Sequence, residues 1–334
     1  MTIKAIAKWI TISLICLLFS EFVLYLYGIE PIFLLVGKEV AGGRGSAVFR
    51  LDPQLLYQLK GSASLGLNSA GFRNAEFGPK TTERRIVVLG DSFPMGLAVD
   101  AHETFPKQLE KRLMKTSVLN LGVAGYGPDQ ALGVLKRYAL ALAPDTVILT
   151  LYPPNDFMDL VKNKIYRIKG DVIVENHPNP VEEILPPFRL PIALRLIATG
   201  RYLPQSDEAR LEEILFADKD LMELQSQEDI ELSTQLLRHV LQEFKRELYQ
   251  HKIRFVVVIL PSYTEIQGEQ RGKAAFNTER RAREVSLSEG ILTLDLTADF
   301  VAWQGVPLYL DDDRHLNQTG HAFVAQLLAN RLSE

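Results

Sequence analysis

Four short blocks of this chain hold residue types that can do chemistry together: Gly90-Asp91-Ser92, the run from Asn120 to Gly127, Pro153-Pro154-Asn155-Asp156, and Asp311-Asp312-Asp313-Arg314-His315. A serine hydroxyl is a weak nucleophile until a neighbouring imidazole takes its proton. His315 is the natural base. Asp312, three residues earlier, can accept from the other ring nitrogen and fix the tautomer. Attack on an ester carbonyl creates an oxyanion, which needs donors already in place. The backbone N–H groups of Ser92 and Gly125 and the side-chain amide of Asn155 can supply three. Ser92 would also gain from the partial positive charge at the start of a following helix.

Each residue has a plainer job to set against this one. Ser92 can simply cap a helix, the commonest role of serine in that position. His315 can be an ordinary surface histidine, Asp311 and Asp313 solvated or capping residues, and His321 a packing or surface residue of the last helix. His102, His177, His239 and His251 show no metal-ligand spacing, so no metal is expected. Gly90 and Gly96 form neither a dinucleotide fingerprint nor a phosphate-binding loop, so no nucleotide cofactor is expected either.

These blocks need a scaffold that delivers them to one place. From Arg84 the chain alternates short apolar runs with amphipathic stretches. Strands are expected over Ile86–Leu89, Val118–Leu121, Thr146–Leu151, Ile253–Leu260 and Ile291–Leu296, and helices over Thr104–Lys115, Pro128–Leu142 and Thr319–Leu332. Apolar strands alternating with helices imply an α/β fold, a parallel sheet covered on both faces. In such sheets the chemistry lies just past the carboxyl ends of the strands, where three of the four blocks fall.

The stretch from about 157 to 250 is too long for an ordinary crossover. It reads as a small hairpin over 166–174, a proline-broken segment at 186–191, a short apolar helix at 192–197, and helix from Glu208 to Tyr249. Residues 157–205 are read as either a cap over the active site or a decoration that only packs.

The chain has 334 residues, is 47% hydrophobic and 23% charged, and has a net charge of −4. That composition excludes disorder, and the near-neutral balance argues against a nucleic-acid partner. The one cysteine, Cys16, excludes a disulfide framework. Much of the apolar content is concentrated between Trp9 and Tyr27, long enough to cross a bilayer as a helix, with Glu21 its only charged residue. Lys4 and Lys8 before it place the N-terminus in the cytoplasm and the rest of the chain outside. No small-x-small cleavage site follows closely, so an uncleaved signal-anchor is expected rather than a removed signal peptide. The expected organisation is therefore an anchor over 1–28, a connector over 29–80 packing on the next domain, and a catalytic domain over 81–334.

The blocks together resemble the SGNH/GDSL hydrolase superfamily: Gly90-Asp91-Ser92, Gly125 at the end of Asn-x-x-x-x-Gly, Asn155, and Asp312-x-x-His315, in the family's order. The resemblance spans roughly Phe49 to Leu332. It implies a flavodoxin-like three-layer α/β/α fold, a catalytic Ser92, His315 and Asp312, and an oxyanion hole of Ser92, Gly125 and Asn155. It also implies ester hydrolysis or O-acyl transfer. Pro153-Pro154 stand before Asn155 where many relatives carry a glycine. The Asn68-Ser69-x-Gly71-Phe72-Arg73 segment and the anchor further resemble a membrane-anchored bacterial subgroup. The expected activity is an extracytoplasmic, inner-membrane serine esterase that removes O-acyl groups, acetyl foremost, from a carbohydrate or other ester. Its variant is an O-acyltransferase supplied by a membrane-bound acyl-donor protein. The rival of a different class is a silent, tethered binding or assembly protein.

Overall fold

A computed structural model describes residues 3–26, 32–35, 38–41, 49–63, 65–97, 99–170, 172–176, 227–266, 277–311 and 315–332. The chain divides into two compact units, one holding the described residues up to Lys60 and the other those from Gly61 onward. Residues 61–80, grouped with the connector above, thus cluster with the second unit.

The first unit holds helix α1 (Ile3–Leu26) and two antiparallel hairpins, β1 (Ile32–Leu35) with β2 (Lys38–Ala41) and β3 (Phe49–Asp52) with β4 (Leu56–Leu59). Helix α1 is 24 residues long and exposes Trp9, Ile10, Leu14, Ile15, Leu18, Phe19, Phe22 and Leu26. Among the described residues no helix counts as long and apolar enough to cross a membrane.

The second unit is built on five parallel strands: β5 (Arg84–Leu89), β6 (Thr116–Asn120), β7 (Thr146–Leu151), β10 (Arg254–Ile259) and β11 (Leu292–Asp295). Their spatial order is β11-β10-β7-β5-β6. Numbered within the sheet this is 2-1-3-4-5, the flavodoxin-like order, whose direction reverses between β5 and β7. Each of the five runs read from sequence is a strand, with ends that differ by no more than two residues. The central strands β5 and β7 are apolar and buried on both faces, as a doubly covered sheet requires.

Helices α3 (Phe105–Arg112) and α10 (Gln318–Leu332) lie together on one face, where Phe105, Leu109, Val324 and Leu328 meet Ile86, Val88, Ile148 and Val256. The alternate residues Val87, Leu89, Val147 and Leu149 turn to the other face. That face is covered by α4 (Pro128–Val134), α5 (Pro153–Asn163), α6 (Gln227–Gln250) and α8 (Thr278–Ser288). The expected helix over 128–142 is α4 continued through a π-turn (Leu135–Ala139) and a 3-10 turn (Leu140–Leu142).

Residues 166–175 form the expected hairpin, β8 (Tyr166–Lys169) with β9 (Val172–Glu175). The segment from 177 to 226, with its proline-broken stretch and the helix expected from Glu208, lies outside the described residues. Three further elements complete the unit: α2 (Ser92–Met95), α7 (Tyr263–Ile266) and α9 (Thr297–Ala302).

Candidate active site

Strand β5 ends at Leu89, and Gly90 turns the chain with a φ of +143°; a Cβ there would sit 2.8 Å from the Thr150 carbonyl oxygen on β7. Only glycine allows both the left-handed φ and that approach. Asp91 then caps α2, its carboxylate accepting from Phe93 N–H at 3.0 Å. The cap is Asp91, so Ser92 is the first helical residue and not the cap considered above. Helix α2 is a single turn of four residues, closed at Gly96 in the left-handed region. The dipole such a turn offers Ser92 is small compared with that of a full helix.

His315 reaches the serine from the far end of the chain, its Nε2 lying 2.8 Å from Ser92 Oγ. The His315 loop is held by Leu310 N–H donating to the His315 carbonyl at 2.8 Å. The Asn317 amide donates to Pro307 O at 2.8 Å, and the Tyr309 hydroxyl donates to Pro261 O at 2.5 Å. Phe93 lies between, stacked on Tyr152 (centroids 4.2 Å apart) and 5.1 Å from the His315 ring. Ser92 itself is buried. Asp312 lies outside the described residues.

Gly125 follows β6 in a loop where its φ of +77° suits glycine. Asn155 lies in the first turn of α5, which begins with Pro153 and Pro154 directly after β7. Proline is at home there, because the first turn's N–H groups have no helical acceptor. Among the described residues neither Ser92 N–H nor Gly125 N–H donates to any acceptor. The three expected donors therefore sit after β5, β6 and β7, at the end of the sheet where its order reverses.

Behind Asn155 lies a group of buried acids that the sequence reading missed: Asp91, Asp129, Asp156 and Asp159. The signal was present as a polar stripe at helical spacing, Asp156, Asp159 and Asn163 on α5. Burial pushes the Asp91 carboxyl up to about 6, against the opposing pull of Phe93 N–H, His315 and the Asn155 amide. Asp156 is raised well above the usual range by burial and by the charges of Asp91 and Asp159. Burial pushes Asp129 up to about 7, although Asn163 Nδ2 and Gln130 N–H each donate to its Oδ1 at 2.9 Å. Its Oδ2 is buried with no partner among the described residues.

A carboxyl whose pKa rises on folding binds a proton in the folded state that the unfolded chain has already lost. Asp129 therefore contributes stability below about pH 4 that is lost as pH rises toward 7, at up to ~1.4 kcal/mol per pH unit. Asp129→Asn keeps the accepting oxygen and removes the charge. Relative to wild type, its melting temperature is expected to climb between pH 4 and 7 and then level off, by ~2–4 °C per kcal/mol. A difference that does not change with pH would show that Asp129 does not titrate in this range.

His321 is a packing residue, as expected: it is buried on α10 and its Nδ1 accepts from Phe105 N–H at 3.1 Å. Burial lowers it to about 3, in keeping with a neutral ring whose Nδ1 lone pair is taken by the Phe105 N–H. The Asn68–Arg73 segment is a turn organised by Asn68, whose Oδ1 accepts from Ala70 N–H (3.1 Å) and Phe72 N–H (3.0 Å). It delivers Arg73 to the Gly96 carbonyl, at the end of the Ser92 turn.

No family model and no curated protein matches the chain. Among solved structures it is similar to a lipase/acylhydrolase from Enterococcus faecalis, at 15% identity, covering 75% of this chain and 95% of that one with a TM-score of 0.43. It is similar to a member of the lipolytic protein G-D-S-L family from Veillonella parvula DSM 2008, at 11% identity over 75% and 99% of the two chains, TM-score 0.42. An acetyl xylan esterase, AlAXEase, aligns at 14% identity over 74% and 99%, TM-score 0.42. Likeness at this level carries no argument about activity, so function rests on the chemistry of the site.

Proposed function

We propose that the chain is a serine ester hydrolase of the SGNH/GDSL type, with Ser92 as nucleophile and His315 as general base. The observation that carries the reading is the 2.8 Å contact between His315 Nε2 and Ser92 Oγ, made at the switch point of the sheet. His315 takes the serine proton as Oγ attacks the acyl carbon, then gives it to the departing alcohol. Ser92 N–H, Gly125 N–H and the Asn155 amide receive the oxyanion. Asp312, by its place in Asp-x-x-His, is the residue assigned to orient the imidazole. Water then attacks the acyl-serine by the same route in reverse and frees the acid.

The same reading places α1 across the inner membrane as a signal-anchor, with the second unit on the periplasmic side. Its 24 residues reach about 36 Å, which exceeds the hydrocarbon thickness of a bilayer. The large apolar side chains that α1 exposes support this, and Lys4 and Lys8 give the orientation. The substrate proposed is an O-acetylated carbohydrate outside the cytoplasm. The test is p-nitrophenyl ester hydrolysis by the full chain in detergent, with Ser92→Ala as control and acetate compared with octanoate. Acetate is expected to be cleaved faster, with no release by Ser92→Ala. Release by Ser92→Ala equal to wild type would remove the nucleophile assignment, and faster octanoate cleavage would remove the acetyl preference. A rise in acetyl release when a glycan acceptor is added would move the assignment to the transferase variant.

A further inference from the structure

The loop that carries Gly125 spends its amide hydrogens in an unusual way. Leu121 N–H donates to Val88 O (2.8 Å) and Val123 N–H to Gly90 O (3.0 Å), so the loop is laced to β5 and its exit. Tyr126 N–H donates to Val123 O at 3.1 Å, and Gly127 N–H to Gln130 Oε1 at 3.1 Å. The two remaining partners are side chains. Gly122 N–H donates to Asn120 Oδ1 at 3.0 Å, and Ala124 N–H donates to the thioether sulfur of Met95 at 3.3 Å. From Leu121 to Gly127, Gly125 alone keeps its N–H unspent among the described residues.

Asn120 does more than close the Gly122 amide. Its Nδ2 donates to the Pro94 carbonyl at 2.6 Å, inside the turn that begins at Ser92. One buried side chain thus holds the nucleophile turn with its donor and the oxyanion loop with its acceptor. Its own backbone N–H donates to Asn74 Oδ1 at 3.2 Å, which fixes the strand end it hangs from. The two segments are in close contact here: a Cβ on Gly122 would lie 2.7 Å from Met95 N and 2.8 Å from Pro94 Cγ. Met95, the last residue of α2, is buried and makes a second tie through its sulfur. Sulfur is the weaker acceptor, so the amide is the principal one.

We infer that Asn120 is a positioning residue: its amide locks the loop bearing Gly125 to the turn bearing Ser92 and so fixes the spacing of their two unspent N–H groups. The inference rests on the proposed role of Ser92 for its catalytic consequence, but the clamp itself does not. Two N–H donors at a set spacing are what a developing oxyanion requires, and a loop that drifts by about 1 Å costs on the order of 10²-fold in rate.

The test has two readouts on the full chain in detergent. In Asn120→Ala, hydrogen–deuterium exchange of the peptide spanning 121–127 is expected to rise about tenfold, with β5 and β7 unchanged. This readout needs no activity. In the same variant, kcat for p-nitrophenyl acetate is expected to fall about 10–100-fold with KM within about twofold. If the alanine variant does not fold, Asn120→Asp serves instead. A protonated carboxyl reproduces both the donor and the acceptor of the amide, so its rate relative to wild type is expected to be higher at pH 5 than at pH 8. Unchanged exchange at 121–127 would overturn the clamp, as would an Asn120→Asp ratio that does not vary with pH. Increased exchange with unchanged kcat would overturn its positioning role. A wild-type protein without esterase activity would instead defeat the functional reading and leave the exchange result to decide the clamp.

Discussion

His315→Ala is expected to lower ester turnover by about 10⁴–10⁶-fold, with little change in folding. The physical reason is the single contact that links it to the serine. With His315 Nε2 at 2.8 Å from Ser92 Oγ, proton removal and nucleophilic attack can be concerted. Without the imidazole, the hydroxyl must lose its proton to water, near neutral pH a far weaker base. The ring also lies against Phe93, so alanine leaves a gap beside the nucleophile. Added imidazole is expected to restore part of the rate by occupying that gap. Initial rates with p-nitrophenyl acetate, with and without imidazole, check this. A fully active His315→Ala protein would mean that another group is the base.

Asn155→Ala is expected to lower kcat by about 10²–10³-fold while Ser92 still reacts with a fluorophosphonate. Asn155 does not touch the proton path between Ser92 and His315. Its amide is expected to act only once charge has moved onto the acyl oxygen, so its loss falls on kcat more than on KM. The amide also helps hold the charge of buried Asp91, which caps the nucleophile turn. Two effects of different pH dependence are therefore superimposed. Removing the amide raises Asp91 further, and the acid limb of the kcat profile is expected to move to higher pH. Steady-state rates from pH 5 to 8 measure both. An unchanged kcat would take Asn155 out of the oxyanion hole.

Much of this arrangement can be read in the sequence for a physical reason. The strands β5, β7 and β10 are buried on both faces, so they appear as unbroken β-branched and aliphatic runs, and their chain order set the doubly wound topology. Once the strand ends were known, Ser92, Gly125 and Asn155 fell at three of them, and His315 alone had to arrive from elsewhere. Other features left no such trace. Helix α8 carries a charged run, Glu279-Arg280-Arg281, and buries few apolar side chains, and α9 is only six residues long and buries Phe300 alone, so neither shows a broad apolar face. The buried acids left only the polar stripe of Asp156, Asp159 and Asn163, which reads by default as a solvated helix face because Asp is usually a surface residue. The burial of Asp156 and Asp159 follows from α5 turning its polar stripe inward. The clamp made by Asn120 was hidden for a similar reason: an asparagine at a strand end reads as a turn former until its two partners are seen. The sulfur tie of Met95 has no sequence signature, since a methionine on a short helix reads as core filling.

The central claim is that Ser92 is an activated nucleophile. The most direct measurement is the intact mass of the full chain, in detergent, after exposure to a fluorophosphonate. Wild type is expected to gain one adduct, mapped to the peptide containing Ser92, and Ser92→Ala to gain none. A wild-type protein that remains unlabelled, or an adduct that persists in Ser92→Ala, would contradict the account.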